Sequence, residues 1–244
     1  MTRTSLPQVV IIAGGKGTRL GWHTAHLPKI LVPVVGRPFL DYVLTLLCAQ
    51  GAEHVHFCLA HHAEKVVDYL TERRDDDVDY TWSVEHRAMG TAGALRLALP
   101  WLAEEFVVLL GDTYTPVDFD DIVTRFRADG RPVAMAVLRN HDWLVPSNVR
   151  VADGSVIEYV KGAPPGRLDY VDYGIAVMCS RAVRELPEEV DLDLRQLFDR
   201  FIAAGDLAAI EVPHRFYEIG SPSGYAEFDR LVREGRLVAM ERAR

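Results

Sequence analysis

The sequence predicts an α/β fold. The first half of the chain is expected to form a doubly wound, mostly parallel sheet, and an antiparallel region is expected to follow it in the sequence. Two observations indicate this. Apolar or alternating runs, typical of strands, alternate with amphipathic helical runs up to about residue 139. From Asn140 onward, three strand-like runs at 147–151, 156–160 and 170–178 follow one another with turns and no helix between them. This second region is expected to form an antiparallel subregion or lid inserted beside the sheet.

The individual elements follow from the period of their apolar residues and from the glycines and prolines that end them. The other predicted strands are 9–13, 54–59, 80–84, 106–110, 133–138, 207–212 and a short one at 216–219. The predicted helices are 39–50, 63–73, the segment after 89–93 that ends near residue 100, 119–128, 180–186, 192–204 and the last one from residue 223.

The composition of the 244-residue chain excludes several classes of partner. Its net charge of −8 argues against binding to nucleic acid. No apolar run approaches the roughly 20 residues that span a bilayer, and no secretory segment opens the chain. The cysteines are odd in number, widely spaced and set in apolar runs, which predicts buried thiols in a reducing cytoplasm; they are Cys48, Cys58 and Cys179.

The stretch 9–29 combines a buried strand, a glycine turn and cations. After the apolar run 9–13, the turn 14–17 lacks the side chains that would keep backbone amides away from a ligand oxygen. Lys16, Arg19 and Lys29 then supply positive charge. Together these features predict a polyphosphate site at the end of a parallel strand. The spacing matches neither the dinucleotide-binding GxGxxG nor the GxxxxGK[ST] phosphate loop.

The motif GGKGTRL, followed six residues later by LPK, resembles the signature of sugar-1-phosphate nucleotidylyltransferases, also called nucleotide-sugar pyrophosphorylases. The resemblance extends from Val9 to about Phe228. It implies a Rossmann-like fold with a mixed central sheet, forming one domain over 1–244. Within it, 1–139 would be the nucleotide-binding part, 140–222 the sugar-binding part and 223–244 a C-terminal helix.

The phrases VGRPFLDY and MGTAGALRLAL look most like heptose-1-phosphate and mannose-1-phosphate guanylyltransferases. Uridylyltransferases acting on MurNAc 1-phosphate and thymidylyltransferases acting on glucose 1-phosphate are also similar, so UTP and dTTP stay open as donors. A member of another functional class, a catalytically silent nucleotide-sugar sensor, would use the same fold. Retention of Arg19, Lys29 and Asp112 argues against that alternative. A homo-oligomer remains open.

The resemblance implies that a nucleoside triphosphate and a sugar 1-phosphate react to give a nucleotide-sugar and pyrophosphate. A phosphate oxygen of the sugar attacks the α-phosphorus in line. Because this nucleophile is already ionised, the protein must supply positioning and charge neutralisation and no general base. The catalytic residues would be Arg19, which neutralises the leaving pyrophosphate, and Lys29, which neutralises the α-phosphate or the sugar phosphate.

Two acids match the family's metal-binding positions. Asp112, in LLGDTY, follows a wholly apolar strand, where a carboxylate is costly unless paired or metal-bound. The alternative is an aspartate that caps its own turn. Glu218, in YEIGSPSGY, stands where the second metal-binding acid is usually Asp. Magnesium is the natural ion for two carboxylates and substrate phosphates.

The remaining assignments by resemblance concern the two substrates. The nucleotide-binding residues would be Ala13, Gly14, Gly15, Lys16, Gly17, Thr18, Glu85, Gly90, Thr91 and Gly111. The residues on the sugar-phosphate side would be Lys161, Asp172 and Gly174. Lys161, in EYVKG, follows Val160 where relatives more often carry Glu, and its alternative role is an exposed lysine at a strand end. Asp172 begins Asp-Tyr-Gly where many relatives have Asn-Ala-Gly, so it would take over hydroxyl recognition.

Glu85 lies where relatives present the side chain that reads the base. An ionised carboxylate accepts hydrogen bonds only. Guanine offers N1–H and its exocyclic amine side by side, whereas uracil and thymine offer one N–H between two carbonyl groups. The sequence therefore predicts GTP as the preferred donor.

Overall fold

The computed structural model describes residues 6–15, 17, 20, 26–73, 77–188 and 191–237. The strands in these residues are β1 (Gln8–Ile12), β2 (Pro33–Val34), β3 (Arg37–Pro38), β4 (His54–Leu59), β5 (Asp79–Val84), β6 (Glu105–Leu110), β7 (Thr113–Tyr114), β8 (Val133–Arg139), β9 (Val149–Ala152), β10 (Ser155–Tyr159), β11 (Tyr170–Cys179), β12 (Leu207–Glu211) and β13 (Tyr217–Glu218). The helices are α1 (Phe39–Ala49), α2 (Ala63–Glu72), α3 (Gly90–Ala98), α4 (Phe119–Asp129), α5 (Arg181–Arg184), α6 (Leu194–Ala204) and α7 (Pro222–Arg233), with 3-10 turns at Lys29–Leu31 and Leu99–Trp101. None of the described helices is both long and apolar enough to cross a bilayer.

A nine-stranded mixed sheet organises the described part of the chain, in the order β5-β4-β1-β6-β11-β8-β12-β10-β9. The first four strands are parallel, as are β8 and β12. Strand β11 runs antiparallel to both of its neighbours, β6 and β8. At the far edge, β10 is antiparallel to β12 and β9. The predicted mixed α/β sheet is confirmed.

The antiparallel strands belong to this sheet and do not lie beside it, which differs from the sequence prediction. Strand β11 is buried at most of its positions on both faces, as a central strand must be. Its first residue pairs with both β8 and β9, through Tyr170↔Arg139 and Tyr170↔Val149. An apolar run predicts a buried strand but carries no information about its neighbours in the sheet, and this explains the difference.

Helices cover both faces of the sheet, because successive residues of each strand point to opposite sides. Val9 and Ile11 pack with α1, α2, α4 and α7 in one core cluster. Val10 and Ile12 pack with α3, α5 and α6 in the other. The doubly wound arrangement leaves the carboxyl ends of β1 and β6 as neighbours, at the edge where ligands bind in open α/β sheets.

The three cysteines are free thiols. The prediction of a buried thiol holds for Cys58, on β4, where burial raises the pKa to about 12. Cys48 and Cys179 are only half-buried.

A buried histidine on β4 makes the stability of the fold pH-dependent. His56 is fully buried, with Nδ1 2.9 Å from the Thr81 hydroxyl and Nε2 3.1 Å from the Ser83 hydroxyl. Burial lowers the pKa of His56 to about 4. An unfolded histidine has a pKa near 6.5. Below that pH, and down to about pH 4, His56 is protonated in the unfolded chain but stays neutral in the folded chain. The resulting contribution to stability is present above about pH 6.5 and is lost as the pH falls towards 4.

We therefore expect the free energy of unfolding to fall between pH 7 and pH 5 by about 2 kcal/mol more in the unmodified chain than in His56→Gln. Urea unfolding at the two pH values measures the difference. His54→Gln, an exposed change on the same strand, is the matched control and should retain the pH dependence of the unmodified chain. An equal pH dependence in the unmodified chain and His56→Gln would contradict this account.

Candidate active site

A cavity of about 360 Å³ lies at the junction of β1, β6 and β11. Apolar side chains from the strands form its floor, including Ile12, Val108, Leu110 and Ile175. Its polar lining contains three acids and three cations, together with Thr91 and Tyr159; the charged residues are Lys29, Asp112, Lys161, Asp172, Asp193 and Arg195. An apolar cavity with a few convergent charged groups is the typical form of a small-molecule site.

The close approach of two strand ends brings Asp112 to this cavity. The Gly111 amide donates to the Ile12 carbonyl oxygen at 2.9 Å. A Cβ at Gly111 would lie 2.9 Å from that oxygen and 3.1 Å from the Ala13 Cβ, closer than side chains tolerate. Glycine is therefore required here for β6 to end against β1, and the residue that follows faces the cavity.

Lys29 and Asp112 form an ion pair in the cavity wall. Lys29 Nζ lies 2.8 Å from Asp112 Oδ2, and the side chains are 15% and 25% exposed. The 3-10 turn that carries Lys29 is anchored by buried Ile30 and Leu31. The Thr113 hydroxyl lies 3.3 Å from the other carboxylate oxygen. Asp112 thus has the charged partner that a half-buried carboxylate needs, and both charges can be reached by a ligand.

Asp172 is held in a defined orientation by its neighbours. Its Oδ2 accepts from the Tyr159 hydroxyl at 2.9 Å, and its Oδ1 accepts from the Gly174 amide at 2.9 Å. Burial raises the pKa of Asp172, and these two hydrogen bonds and the charge of Lys161 oppose that shift. Gly174 has a φ of +81°, in an irregularity where the register between β11 and β8 shifts. The sequence-predicted residues Lys161, Asp172 and Gly174 are brought together at one cavity.

Glu85 lies behind the glycine turn and is not among the residues that line the cavity. Its Oε2 accepts from the Met89 amide at 2.9 Å. A Cβ at Gly14 would lie 3.0 Å from its Oε1, so glycine lets the turn approach this carboxylate. Burial raises the pKa of Glu85, the Met89 amide opposes the shift, and Asp191 adds to it. Ala13 and Gly15 of the same turn line the cavity.

Gly90 and Thr91 contact the segment before α6. The Leu192 carbonyl accepts from the Ala92 and Gly93 amides at 2.8 and 3.1 Å, and it therefore satisfies the first amides of α3. A Cβ at Gly90 would lie 2.6 Å from this carbonyl oxygen. The Thr91 hydroxyl accepts from the Leu194 amide at 2.7 Å. These contacts join residues about a hundred positions apart, which no local pattern in the sequence could indicate.

Glu218 is close to Asp112 through its backbone, but its carboxylate points elsewhere. The Ile219 amide donates to the Asp112 carbonyl at 2.9 Å. The Glu218 carboxylate accepts from the Ser221 amide at 2.9 Å and from the Ser221 hydroxyl, at the N-terminus of α7. It lines a second cavity of about 600 Å³, apart from the one that Asp112 lines.

The fit of a magnesium ion can be judged from these donors. Among the described residues, no three His, Cys, Asp or Glu side chains come together in a way that could hold a metal ion. Mg²⁺ binds through one or two carboxylates and otherwise through substrate phosphates and water. Asp112 meets this requirement as one carboxylate facing the cavity. For Glu218 to become a second ligand, its carboxylate would have to give up the hydrogen bonds from Ser221.

Three predicted site residues in or directly after the glycine turn lie outside the described residues: Lys16, Thr18 and Arg19. Four charged or aromatic residues of the cavity lining were not predicted from the sequence: Tyr159, Asp193, Arg195 and Phe198. Tyr159 and Phe198 are buried apolar positions in a strand and a helix, so their pattern indicates only a core. Asp193 and Arg195 occur at an ordinary helix start and gain their position from long-range contacts.

Comparison with known proteins agrees with this geometry. The family model described as Nucleotidyl transferase matches residues 8–144. The chain is 22% identical to the D-glycero-alpha-D-manno-heptose 1-phosphate guanylyltransferase of Campylobacter jejuni, over 91% of this chain and 98% of that protein. It is 26% identical to a UTP--glucose-1-phosphate uridylyltransferase of Haloferax volcanii, over 96% of this chain and all of that protein. Two further relatives are longer, and the chain spans 60% and 61% of their length.

Among solved structures, the crystal structure of HddC from Yersinia pseudotuberculosis complexed with GMP-PN superposes with a TM-score of 0.81 at 23% identity, covering 93% of this chain and 100% of that chain. This likeness supports the mixed α/β fold. The family model covers more than half of the chain, including the glycine turn, Lys29 and Asp112. The chain therefore belongs to the nucleotidyl transferase family, as the resemblance in its sequence predicted.

Proposed function

We propose that this chain transfers a nucleoside monophosphate from a nucleoside triphosphate, with GTP preferred, to a sugar 1-phosphate of the mannose or heptose type. The products are a nucleotide-sugar and pyrophosphate. The observation that carries the proposal is the single cavity that brings Lys29, Asp112, Lys161 and Asp172 together. Relatives named for sugar 1-phosphates support the acceptor class.

The charges of the cavity suit the reaction. The sugar phosphate attacks the α-phosphorus, so negative charge concentrates where three phosphate groups meet. Lys29 would neutralise the α-phosphate or the sugar phosphate, and Lys161 would neutralise the sugar phosphate. The position of both lysines in the cavity lining supports these roles. We assign the leaving pyrophosphate to Arg19. A Mg²⁺ ion held by Asp112, with Glu218 as a second candidate ligand, would supply charge neutralisation at the phosphates.

The glycine turn would bind the triphosphate. Gly15 lines the cavity, and the absence of a side chain there leaves its backbone open to phosphate oxygens. Ala13, Gly14, Gly111 and the turn residues Lys16, Gly17 and Thr18 would be the further nucleotide contacts; Lys16 and Thr18 lie outside the described residues. Gly90 and Thr91, at the start of α3, would also contact the nucleotide.

The sugar would lie against Asp172 and the residues around it. Asp172 accepts hydrogen bonds from sugar hydroxyl groups, and its oxygens keep free lone pairs beside the two bonds that orient them. Gly174 lines the same wall and brings β11 close to the ligand. This arrangement suits a polyhydroxylated acceptor.

The preference for GTP rests on Glu85. In its ionised form this carboxylate can accept from guanine N1–H and the exocyclic amine, beside the bond that it accepts from the Met89 amide. Uracil and thymine would place a carbonyl oxygen against the second carboxylate oxygen. Such a mismatch costs roughly 1–3 kcal/mol, or about a ten- to hundredfold preference.

A comparison of kcat/KM for GTP, UTP, dTTP, CTP and ATP tests the proposal, with mannose 1-phosphate and heptose 1-phosphate as acceptors. We expect GTP to exceed every other nucleotide by about tenfold or more. Glu85→Gln should reduce that advantage, because an amide offers guanine one acceptor and one donor. A clear preference for UTP, the donor named for the Haloferax relative, would overturn the assignment of the base.

A further inference from the structure

The start of α6 forms a wall of the cavity, and Arg195 lies in its first turn. The guanidinium group makes no hydrogen bond to any described residue. Its one ion pair in the described part of the chain is a long contact of 3.8 Å with Asp199, one turn along the helix. A guanidinium group has five N–H donors and no acceptor. Nearly all of that donor capacity is therefore unused by the described residues.

The charge of Arg195 reaches the interior of the site. Tyr159, whose hydroxyl donates to Asp172 at 2.9 Å, is a buried cavity residue. Burial raises the pKa of Tyr159, and the positive charge of Arg195 opposes that shift. Arg195, Tyr159 and Asp172 all line the same cavity.

The fold does not require this arginine. The Asp193 amide at the start of α6 is satisfied by the Gln196 side chain at 2.9 Å, and a Gly205 C-cap ends the helix. Exposed ion pairs within a helix contribute little to stability. At 3.8 Å and 44% side-chain exposure, the pair with Asp199 is of this weak kind. A structural role leaves the position of Arg195 in the cavity wall unexplained.

The cavity wall around Arg195 contains both hydrogen-bond donors and acceptors. Asp193 and Asp172 line the same cavity as Arg195 and offer carboxylate acceptors. The Asp193 Oδ1 accepts from the Thr91 hydroxyl at 3.3 Å. Sugar hydroxyl groups both donate and accept, so they match such a set. The rings of Tyr159 and Phe198, with centroids 6.0 Å apart, add an apolar surface for the C–H groups of a sugar ring.

We propose that Arg195 is a specificity-determining residue that donates hydrogen bonds to hydroxyl oxygens of the sugar 1-phosphate, while Asp193 accepts from neighbouring hydroxyl groups. This inference rests on the proposed function, because it takes a sugar 1-phosphate as the ligand.

Calorimetric binding of mannose 1-phosphate, which needs no turnover, tests the role of Arg195. We expect Arg195→Gln to raise the Kd for this ligand by about tenfold or more, since hydrogen bonds from a charged donor are stronger than those between neutral groups. Arg200→Gln, an exposed change on the same helix outside the cavity lining, is the matched control and should leave the Kd unchanged. The Kd for GTP should stay within about twofold in both variants.

Equal effects of the two variants, a selective loss of GTP binding in Arg195→Gln, or no binding of mannose 1-phosphate by the unmodified chain would overturn the inference. Binding that depends on Arg195 without any nucleotide transfer would support it and would contradict the proposed function instead.

Discussion

Lys29→Ala is expected to lower kcat by at least about a hundredfold while the chain stays folded. Lys29 is the cation that contacts Asp112, at 2.8 Å, and it faces the cavity in which we place the reacting phosphates. Charge shifts between phosphate groups as the new bond forms, so a fixed cation there acts more strongly on the transition state than on the bound substrates. Asp112→Asn should likewise abolish the magnesium-dependent activity.

Steady-state kinetics with circular dichroism as the check on folding measures these effects. Lys29→Arg separates charge from geometry, because its planar guanidinium group keeps the charge but not the compact shape of the ammonium group. We expect it to recover only part of the rate. Near-normal turnover in Lys29→Ala would remove Lys29 from the mechanism, and undiminished dependence on magnesium in Asp112→Asn would remove Asp112.

Gly90→Ala is expected to destabilise the chain by about 3 kcal/mol or more. The φ of Gly90 is +70°, which disfavours any side chain, and its added Cβ would lie 2.6 Å from the Leu192 carbonyl oxygen. That oxygen accepts from two α3 amides and cannot move without breaking those bonds. The effect therefore combines backbone strain with the loss of the contact between α3 and the segment before α6.

Gly130→Ala provides the matched control. Gly130 has a φ of +81° at the end of α4, but a Cβ there would meet nothing within 4 Å. We expect it to cost about 1 kcal/mol, from the backbone conformation alone. The difference between the two variants, measured by urea unfolding, isolates the contact with Leu192. Equal losses of stability in both variants would show that this contact contributes nothing.

The parts of the fold that could be predicted are those encoded locally. Buried strands such as 106–110 and helices such as 119–128 follow from their periods, and the structure places β6 and α4 over nearly the same residues. The grouping of Lys29 with Asp112 could also be expected, since the carboxyl ends of neighbouring parallel strands share one edge of the sheet. The position of β11 between β6 and β8 could not, because an apolar strand suits many neighbours.

The parts of the site that escaped prediction depend on long-range packing. The motif predicts Gly90 and Thr91 as nucleotide contacts. In the structure Gly90 packs against the Leu192 carbonyl, and the Thr91 hydroxyl accepts from the Leu194 amide. The resemblance of YEIGSPSGY to the family motif predicts Glu218 as a metal ligand, while the orientation of its side chain depends on Ser221. Arg195 has no local pattern that separates it from any arginine on a helix surface.

The proposed reaction is tested most directly by labelling one phosphorus atom of GTP and following that label into the products in the presence of mannose 1-phosphate. Transfer of a nucleoside monophosphate predicts that label on the α-phosphorus appears in the nucleotide-sugar, and that label on the γ-phosphorus appears only in pyrophosphate. Lys29→Ala should lose both products together. Label from the γ-phosphorus on the sugar, or no transfer from any nucleotide to any sugar 1-phosphate, would contradict the account.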